Sequence, residues 1–245
     1  GFGGASTSCK RGGIANQTLP TSRDSLDVGK VWFRWRFHLL QARRYSQPDL
    51  AHVEGLALQI PPGVFHPEFF FATALFLQVL ARRPLAPGSR ALDMGTGSGA
   101  LAIALAKRGA NVTAIDINPL AVHCAAENAT AHGLGGRVTA CQGDLFAPIE
   151  GECFDLLTFN PPFYARTPRD LADHAWAAGD GCEVLWRFLA EARIHLLPGG
   201  EVLIGASTEA PFTSKLATAA GWRVRILGRR ELVSERLFIF SLRPE

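Results

Sequence analysis

The sequence is missing several things that would have placed it quickly. Nowhere in its 245 residues is there an uninterrupted apolar run of 18 or more, so no segment has the length a membrane-spanning helix needs. The five cysteines (Cys9, Cys124, Cys141, Cys153, Cys182) are odd in number and none are spaced C-x-x-C. That pattern fits neither a disulfide framework nor a zinc site and suits a reducing, cytoplasmic compartment. No G-K-S or G-K-T occurs, which excludes a P-loop. Charged residues make up only 19%, below the roughly 25% of average proteins, which argues against a disordered or fibrous chain. What is present is apolar, 47% of the chain. A chain of this size buries about 70–75% of its unfolded surface and folds without staples or metals.

Charge is uneven along the chain. Residues 1–50 hold eight Lys and Arg against three Asp, and residues 51–245 hold 17 against 19. A basic amino-terminal third suits either a solvated leader or an acidic or nucleic-acid partner. We expect residues 1–29 to be a disordered basic leader, 30–83 a helical lead-in, and 84–245 the main domain. Residues 31–46, which mix aromatics with arginines, suggest a basic amphipathic helix. The run Ile60-Pro61-Pro62-Gly63-Val64-Phe65-His66-Pro67 ends any helix, and an apolar helix is expected over Glu68–Ala81.

From Ser89 the pattern becomes regular. Apolar runs at 90–94, 111–117, 137–142, 154–159 and 201–206 alternate with helical stretches at 99–108, 119–132 and 182–197. This alternation predicts a parallel sheet covered on both faces. After a helix near 209–220, Trp222–Leu227 and Arg236–Leu242 are separated by a link too short for a parallel crossover. The expected fold is α/β, a doubly wound seven-stranded, mostly parallel sheet with an antiparallel C-terminal hairpin, Rossmann-like in architecture.

Three strand ends carry candidate ligand chemistry. The first runs through Asp93-Met94 into Gly95-Thr96-Gly97-Ser98-Gly99, where glycines let backbone N–H groups approach a ligand closely. The second ends at Asp116-Ile117, placing a carboxylate where it can accept hydrogen bonds from both hydroxyls of a ribose. The third ends at Asp144-Leu145, an acceptor for an adenine amino group beside an apolar side chain. These carboxylates suit an adenosine with a neutral or cationic tail better than a pyrophosphate, which Asp93 would repel.

The fourth strand ends in Asn160-Pro161-Pro162-Phe163. Two prolines stiffen the backbone and leave carbonyls free of local hydrogen bonds. The Asn160 side-chain oxygen and the Pro161 carbonyl can accept both hydrogens of a planar –NH2 group, with Phe163 stacked on its plane. Such a clamp aims a weakly nucleophilic nitrogen and stabilises the positive charge that grows on it.

Taken together, these motifs resemble the class I S-adenosylmethionine-dependent methyltransferases that modify amino nitrogens, and within them the HemK-type glutamine N5-methyltransferases. The resemblance spans about residues 60–242. It includes Val64-Phe65-His66-Pro67-Glu68 and Ala178-Gly179-Asp180-Gly181, then the helix with Arg187 and Leu197-Pro198-Gly199-Gly200. It implies that residues 84–245 are a catalytic domain binding S-adenosyl-L-methionine through Asp93, Gly95 to Gly99, Asp116, Ile117, Asp144, Leu145 and Asn160. Asn160 to Phe163 would hold the methylated amide, and Phe65 and Pro67 would wall the pocket. The sequence departs from the family in ending its motif on Phe163 rather than Tyr. Its short lead-in also resembles the archaeal and eukaryotic branch, whose members can work with a small zinc-binding partner. The leading substrate is a protein glutamine, as in a release factor. The same motif occurs in enzymes methylating exocyclic amines of RNA or DNA, and Gly63-Val64-Phe65 resembles ribosomal-RNA guanine methyltransferases. A small metabolite and a non-catalytic binding module complete the alternatives. His66 and His174 are read as structural, and no metal site or membrane contact is expected.

Overall fold

The computed structural model of the protein describes residues 47–69, 71–233 and 235–245. The expected leader and the amphipathic helix over 31–46 lie outside the described residues. Nine strands and five α-helices occur among those described.

The described chain opens with a hairpin, where a helical lead-in was expected. β1 (Asp49–Val53) pairs antiparallel with β2 (Leu56–Ile60) across Glu54 and Gly55. Both turn residues have positive φ, 45° and 77°, as a two-residue hairpin turn matching strand twist requires. Burial alternates, with Ala51, Val53, Leu56, Leu58 and Ile60 inward, the period of a half-buried sheet. These side chains join the same apolar cluster as α1 (Phe71–Ala81), α2 (Ala100–Lys107) and α3 (Pro119–Ala131). The lead-in and the main domain therefore share one core.

The main sheet has seven strands: β3 (Arg90–Met94), β4 (Asn111–Asp116), β5 (Val138–Gln142), β6 (Phe154–Phe159), β7 (Leu196–Ser207), β8 (Trp222–Glu231) and β9 (Arg236–Pro244). Their order is β5-β4-β3-β6-β7-β9-β8. The first five are parallel, and β9 pairs antiparallel with both β7 and β8. The doubly wound sheet and its C-terminal hairpin are thus as expected. Successive residues of the central strands face opposite clusters. Ala91, Val112 and Leu203 pack under α1 to α3. Leu92, Val202 and Ile204 pack under α4 (Glu183–Ala192) and α5 (Thr213–Leu216). Each fully buried large side chain contributes about 1.5–3 kcal/mol of hydrophobic transfer free energy.

Two expected helices are shorter than predicted. The helix over 182–197 ends at Ala192 and, after one 3-10 turn, yields to β7 at Leu196. Leu196 pairs with Phe154 across a register shift that accommodates Pro198-Gly199-Gly200. The helix near 209–220 contracts to Thr213–Leu216; Pro211 cannot sit in a helix interior, which accounts for the late start. One edge of the sheet, β8, presents exposed Arg223, Arg225 and Arg229, charges that discourage edge-to-edge pairing.

Candidate active site

Strand register assembles the site. The strand order reverses between β3 and β6, and the crevice outside that switch point is where open α/β sheets bind ligands. Met94 pairs with Phe159, so Gly95 and Asn160, the next residue of each strand, leave the sheet side by side. On the other flank Met94 pairs with Ile115, which brings Asp116 to the same edge. One cavity of about 890 Å³ opens there.

Fourteen of the sixteen residues singled out from the sequence line this cavity: Gly95, Thr96, Gly97, Ser98, Asp116, Ile117, Asp144, Leu145, Asn160, Pro161, Pro162, Phe163, Phe65 and Pro67. Asp93 and Gly99 do not. Asp93 lies beneath the loop, 1% exposed, and accepts hydrogen bonds from Thr96 Oγ1 (2.8 Å), Thr158 Oγ1 (2.9 Å) and the Ala102 N–H (3.2 Å). It anchors the glycine loop to β6 and α2. Gly99 is needed for packing: its φ is 83°, and a Cβ there would stand 3.0 Å from Ala125 Cα on α3.

Burial raises the Asp93 carboxyl from 3.8 to about 6. A group with a raised folded-state pKa favours folding below its unfolded value, and that contribution is lost as pH rises through the folded one. Asp93 should therefore stabilise the fold progressively less from about pH 4 to pH 6. A ¹³C-detected titration of its carboxyl should have a midpoint near 6. A midpoint at the ordinary value would mean that water reaches the loop's underside.

Asp116 is held by two backbone donors, Gly97 N–H to Oδ2 and Asn118 N–H to Oδ1, both 2.9 Å. Each oxygen keeps a lone pair for a ligand hydroxyl. Burial raises its pKa, and the two N–H groups oppose that rise. Asn118 caps α3 by accepting from the Leu120 N–H (3.0 Å), and its Nδ2 donates to the Gly63 carbonyl (3.0 Å). That bond fastens the Pro61–His66 segment, and with it Phe65, to the crevice.

The Asn160 Oδ1 is buried and has no hydrogen-bond partner among the described residues. An unsatisfied buried acceptor costs about 1–3 kcal/mol, so its presence calls for a ligand donor or another explanation. β7 makes room for it with Gly205, where a Cβ would land on Oδ1. Gly205→Ala is expected to displace Asn160 and lower turnover at least tenfold, with about 1–3 kcal/mol of overpacking cost. Steady-state rates and thermal melting check this; unchanged turnover would mean that the position of Asn160 is unimportant. Phe163 is half-buried and meets Phe212 edge-on, ring centroids 6.2 Å apart.

Sequence reasoning missed the roof. After Phe163 the chain forms a strap in which Tyr164 bridges Ala177 and Arg166 bridges Gly179. Its hub is Asp173, 7% exposed. Asp173 is gripped at both oxygens by Arg166, with Nη2 to Oδ1 at 2.6 Å, and also receives the Arg169 N–H at 2.9 Å. These charge-assisted bonds hold the Asp173 carboxyl well below the usual carboxylate range. The strap brings Leu171, His174 and Trp176 to the cavity, and Trp176 meets Phe65 with centroids 5.1 Å apart. His174, read as structural from sequence, is thus a wall residue. Only the Gly179-Asp180-Gly181 signal hinted at this segment.

Residues 55–227 match the family described as Methyltransferase small domain. Among relatives, the ribosomal RNA small subunit methyltransferase C of Alcanivorax borkumensis is 34% identical over 159 residues, covering 64% of this chain and 45% of that protein. A provisionally named protein N5-glutamine methyltransferase of Methanocaldococcus jannaschii is 30% identical, covering 78% of this chain and 98% of that one. The release factor glutamine methyltransferase of Deinococcus radiodurans is 36% identical, covering 63% and 58%. Among solved structures, the E. cuniculi Mtq2-Trm112 complex, which methylates the eRF1 termination factor, superposes with a TM-score of 0.56 at 23% identity, covering 75% and 99%. Against most of the curated relatives it matches, the chain spans about half their length. The fold is shared with solved methyltransferase structures such as these. The chain belongs to the methyltransferase small domain family, and its likeness to HemK-type members holds at the level of sequence.

Proposed function

We propose that the protein is an S-adenosyl-L-methionine-dependent N-methyltransferase whose acceptor is a planar amide nitrogen, the side-chain amide of a glutamine in a protein. The observation that carries this reading is that Asn160, Pro161, Pro162 and Phe163 line the same cavity as Asp116 and the glycine loop. The residues present suit the cofactor: Asp116 keeps lone pairs for ribose hydroxyls, and Gly97 and Ser98 offer a close approach to backbone. When bound, the cofactor supplies an electrophilic methyl on a sulfonium; its transfer forms an N–C bond, breaks an S–C bond, leaves a thioether and releases the amide proton to water. This chain's part is to orient. Asn160 and the Pro161 carbonyl take the two amide hydrogens, and Phe163 offers a ring face to the amide plane.

Cavity electrostatics favour a protein acceptor over a nucleotide. Six carboxylates line the cavity (Asp116, Asp144, Glu183, Glu209, Glu231, Glu235) against one arginine, Arg187, and His174. Asp144 is paired with Arg187 and Glu231 with Arg229 and Arg236; Asp116 and Glu183 would still oppose a phosphate entering beside a flipped base. Phe71, Leu171 and Val233 are wall residues that stay 45%, 52% and 100% exposed. The cavity is thus reachable by a loop of a macromolecule, and a release-factor-like protein is the partner this reading calls for.

The test is incubation with methyl-labelled cofactor and cell extract, followed by protease or nuclease. Label that is lost with protease, resists nuclease and leaves as methylamine on acid hydrolysis supports the proposal. Nuclease-sensitive label would overturn it in favour of a nucleobase amine, the class suggested by the ribosomal RNA relatives.

A further inference from the structure

Arg187 has no role in the methyl-transfer step proposed above, yet it is the one Lys or Arg among the described residues lining the cavity. Its guanidinium spans from α4 to the end of β5 and takes Asp144 in a two-pronged grip, Nη1 to Oδ1 at 3.3 Å and Nη2 to Oδ2 at 2.9 Å. Both side chains are about half exposed. A pair this wet contributes about 0–1 kcal/mol to stability, so its consequence has to be sought in orientation.

The backbone on both sides of the pair is fixed. Gly143, just before Asp144, admits no side chain, because a Cβ would stand 2.5 Å from Pro148 Cδ. Leu145, just after it, is in the left-handed region at φ 51°. The Phe146 ring stacks on Phe188 with centroids 5.3 Å apart and an interplanar angle of 22°. Phe188 is the neighbour of Arg187 on α4, so the helix and the 143–149 turn are packed as one unit. With both backbones set, the free variable is the rotamer of a half-exposed aspartate. A planar fork bound to both carboxylate oxygens removes that freedom, which a lysine's single ammonium does not.

We propose that Arg187 is a positioning residue that sets the Asp144 carboxylate to read the amino group of the cofactor's adenine, so that the Asp144–Arg187 pair, and not Asp144 alone, selects the base. This rests on the cofactor reading above. The remaining carboxylate lone pairs accept from an amino group, whereas hypoxanthine, with a keto oxygen in its place, presents an acceptor to an acceptor.

The test measures affinities of the full chain for S-adenosylhomocysteine and S-inosylhomocysteine by calorimetry. The wild type is expected to prefer the adenosyl ligand. Arg187→Gln should lower that preference about tenfold, mainly through weaker adenosyl binding, with Asp144→Ala lowering it as much and the double variant no further. Arg187→Lys should restore only part of it. Thermal melting confirms that each variant is folded. If Arg187→Gln keeps the wild-type ratio while Asp144→Ala loses it, Asp144 needs no positioning and the proposal fails. If Asp144→Ala keeps the ratio, the base is read elsewhere and the proposal fails with it. If the wild type binds neither ligand, the cofactor reading itself falls.

Discussion

Asn160→Ala is expected to lower turnover by about 100–1,000-fold while cofactor affinity changes only a few-fold. The size follows from what one fixed dipole contributes where charge develops in a transition state. An amide nitrogen is a poor nucleophile until its lone pair is aimed and its growing positive charge is met by oxygen acceptors. Asn160 Oδ1 is desolvated already, so it reorganises little at the moment of reaction. The substitution spares the fold, because it deletes an unsatisfied acceptor and leaves β6 and its pairing to β3 intact. Single-turnover rates with saturating cofactor separate the chemical step from binding. Near-normal turnover in this variant would end the amide-clamp mechanism.

Asp116→Ala is expected to weaken cofactor binding by about 1.5–3 kcal/mol, the worth of hydrogen bonds to a charged group, or about 10–150-fold in Kd. The loss has two sources: ribose hydroxyls lose their acceptors, and the Gly97 and Asn118 N–H groups lose theirs. Asp116→Asn keeps one acceptor and should lose less. Calorimetry with S-adenosylhomocysteine reads both variants. An unchanged Kd would remove Asp116 from the site.

The strand ends were legible because parallel pairing is a local rule with a geometric consequence. Once 90–94, 111–117 and 154–159 are read as strands of one parallel sheet, Gly95, Asp116 and Asn160 all emerge at its carboxyl edge; that they are neighbours there is set by the strand order. Roles beneath that edge were not legible. Asp93 has the same composition cue as Asp116, and only the closure of the loop over it, with Thr96, Thr158 and Ala102 donating, separates an anchor from a wall residue. The strap was invisible for another reason: Asp173 and Arg166 are seven positions apart in an aperiodic segment, and neither helix nor strand periodicity marks such a hub. The β1–β2 hairpin does carry a sequence signal, Glu54-Gly55 between two runs of alternating burial. The helix near 209–220 starts only at Thr213 because Pro211 bars its first positions from a helix interior, and it ends at Leu216.

Asn128 ties this hairpin to the crevice. Its amide, 2% exposed, accepts from the Gln59 N–H (2.9 Å) and donates to the Gln59 and Ser98 carbonyls (3.0 Å each). One side chain thus stands in for a neighbouring strand along β2 while bracing the glycine turn from behind. Anyone trimming this protein to a minimal unit, or splitting it into complementing fragments, has to keep residues 49–60 on the same piece as the nucleoside pocket. A cut after Ile60 would strand a hydrogen-bonding amide in the interior, directly behind the backbone meant to embrace the ligand.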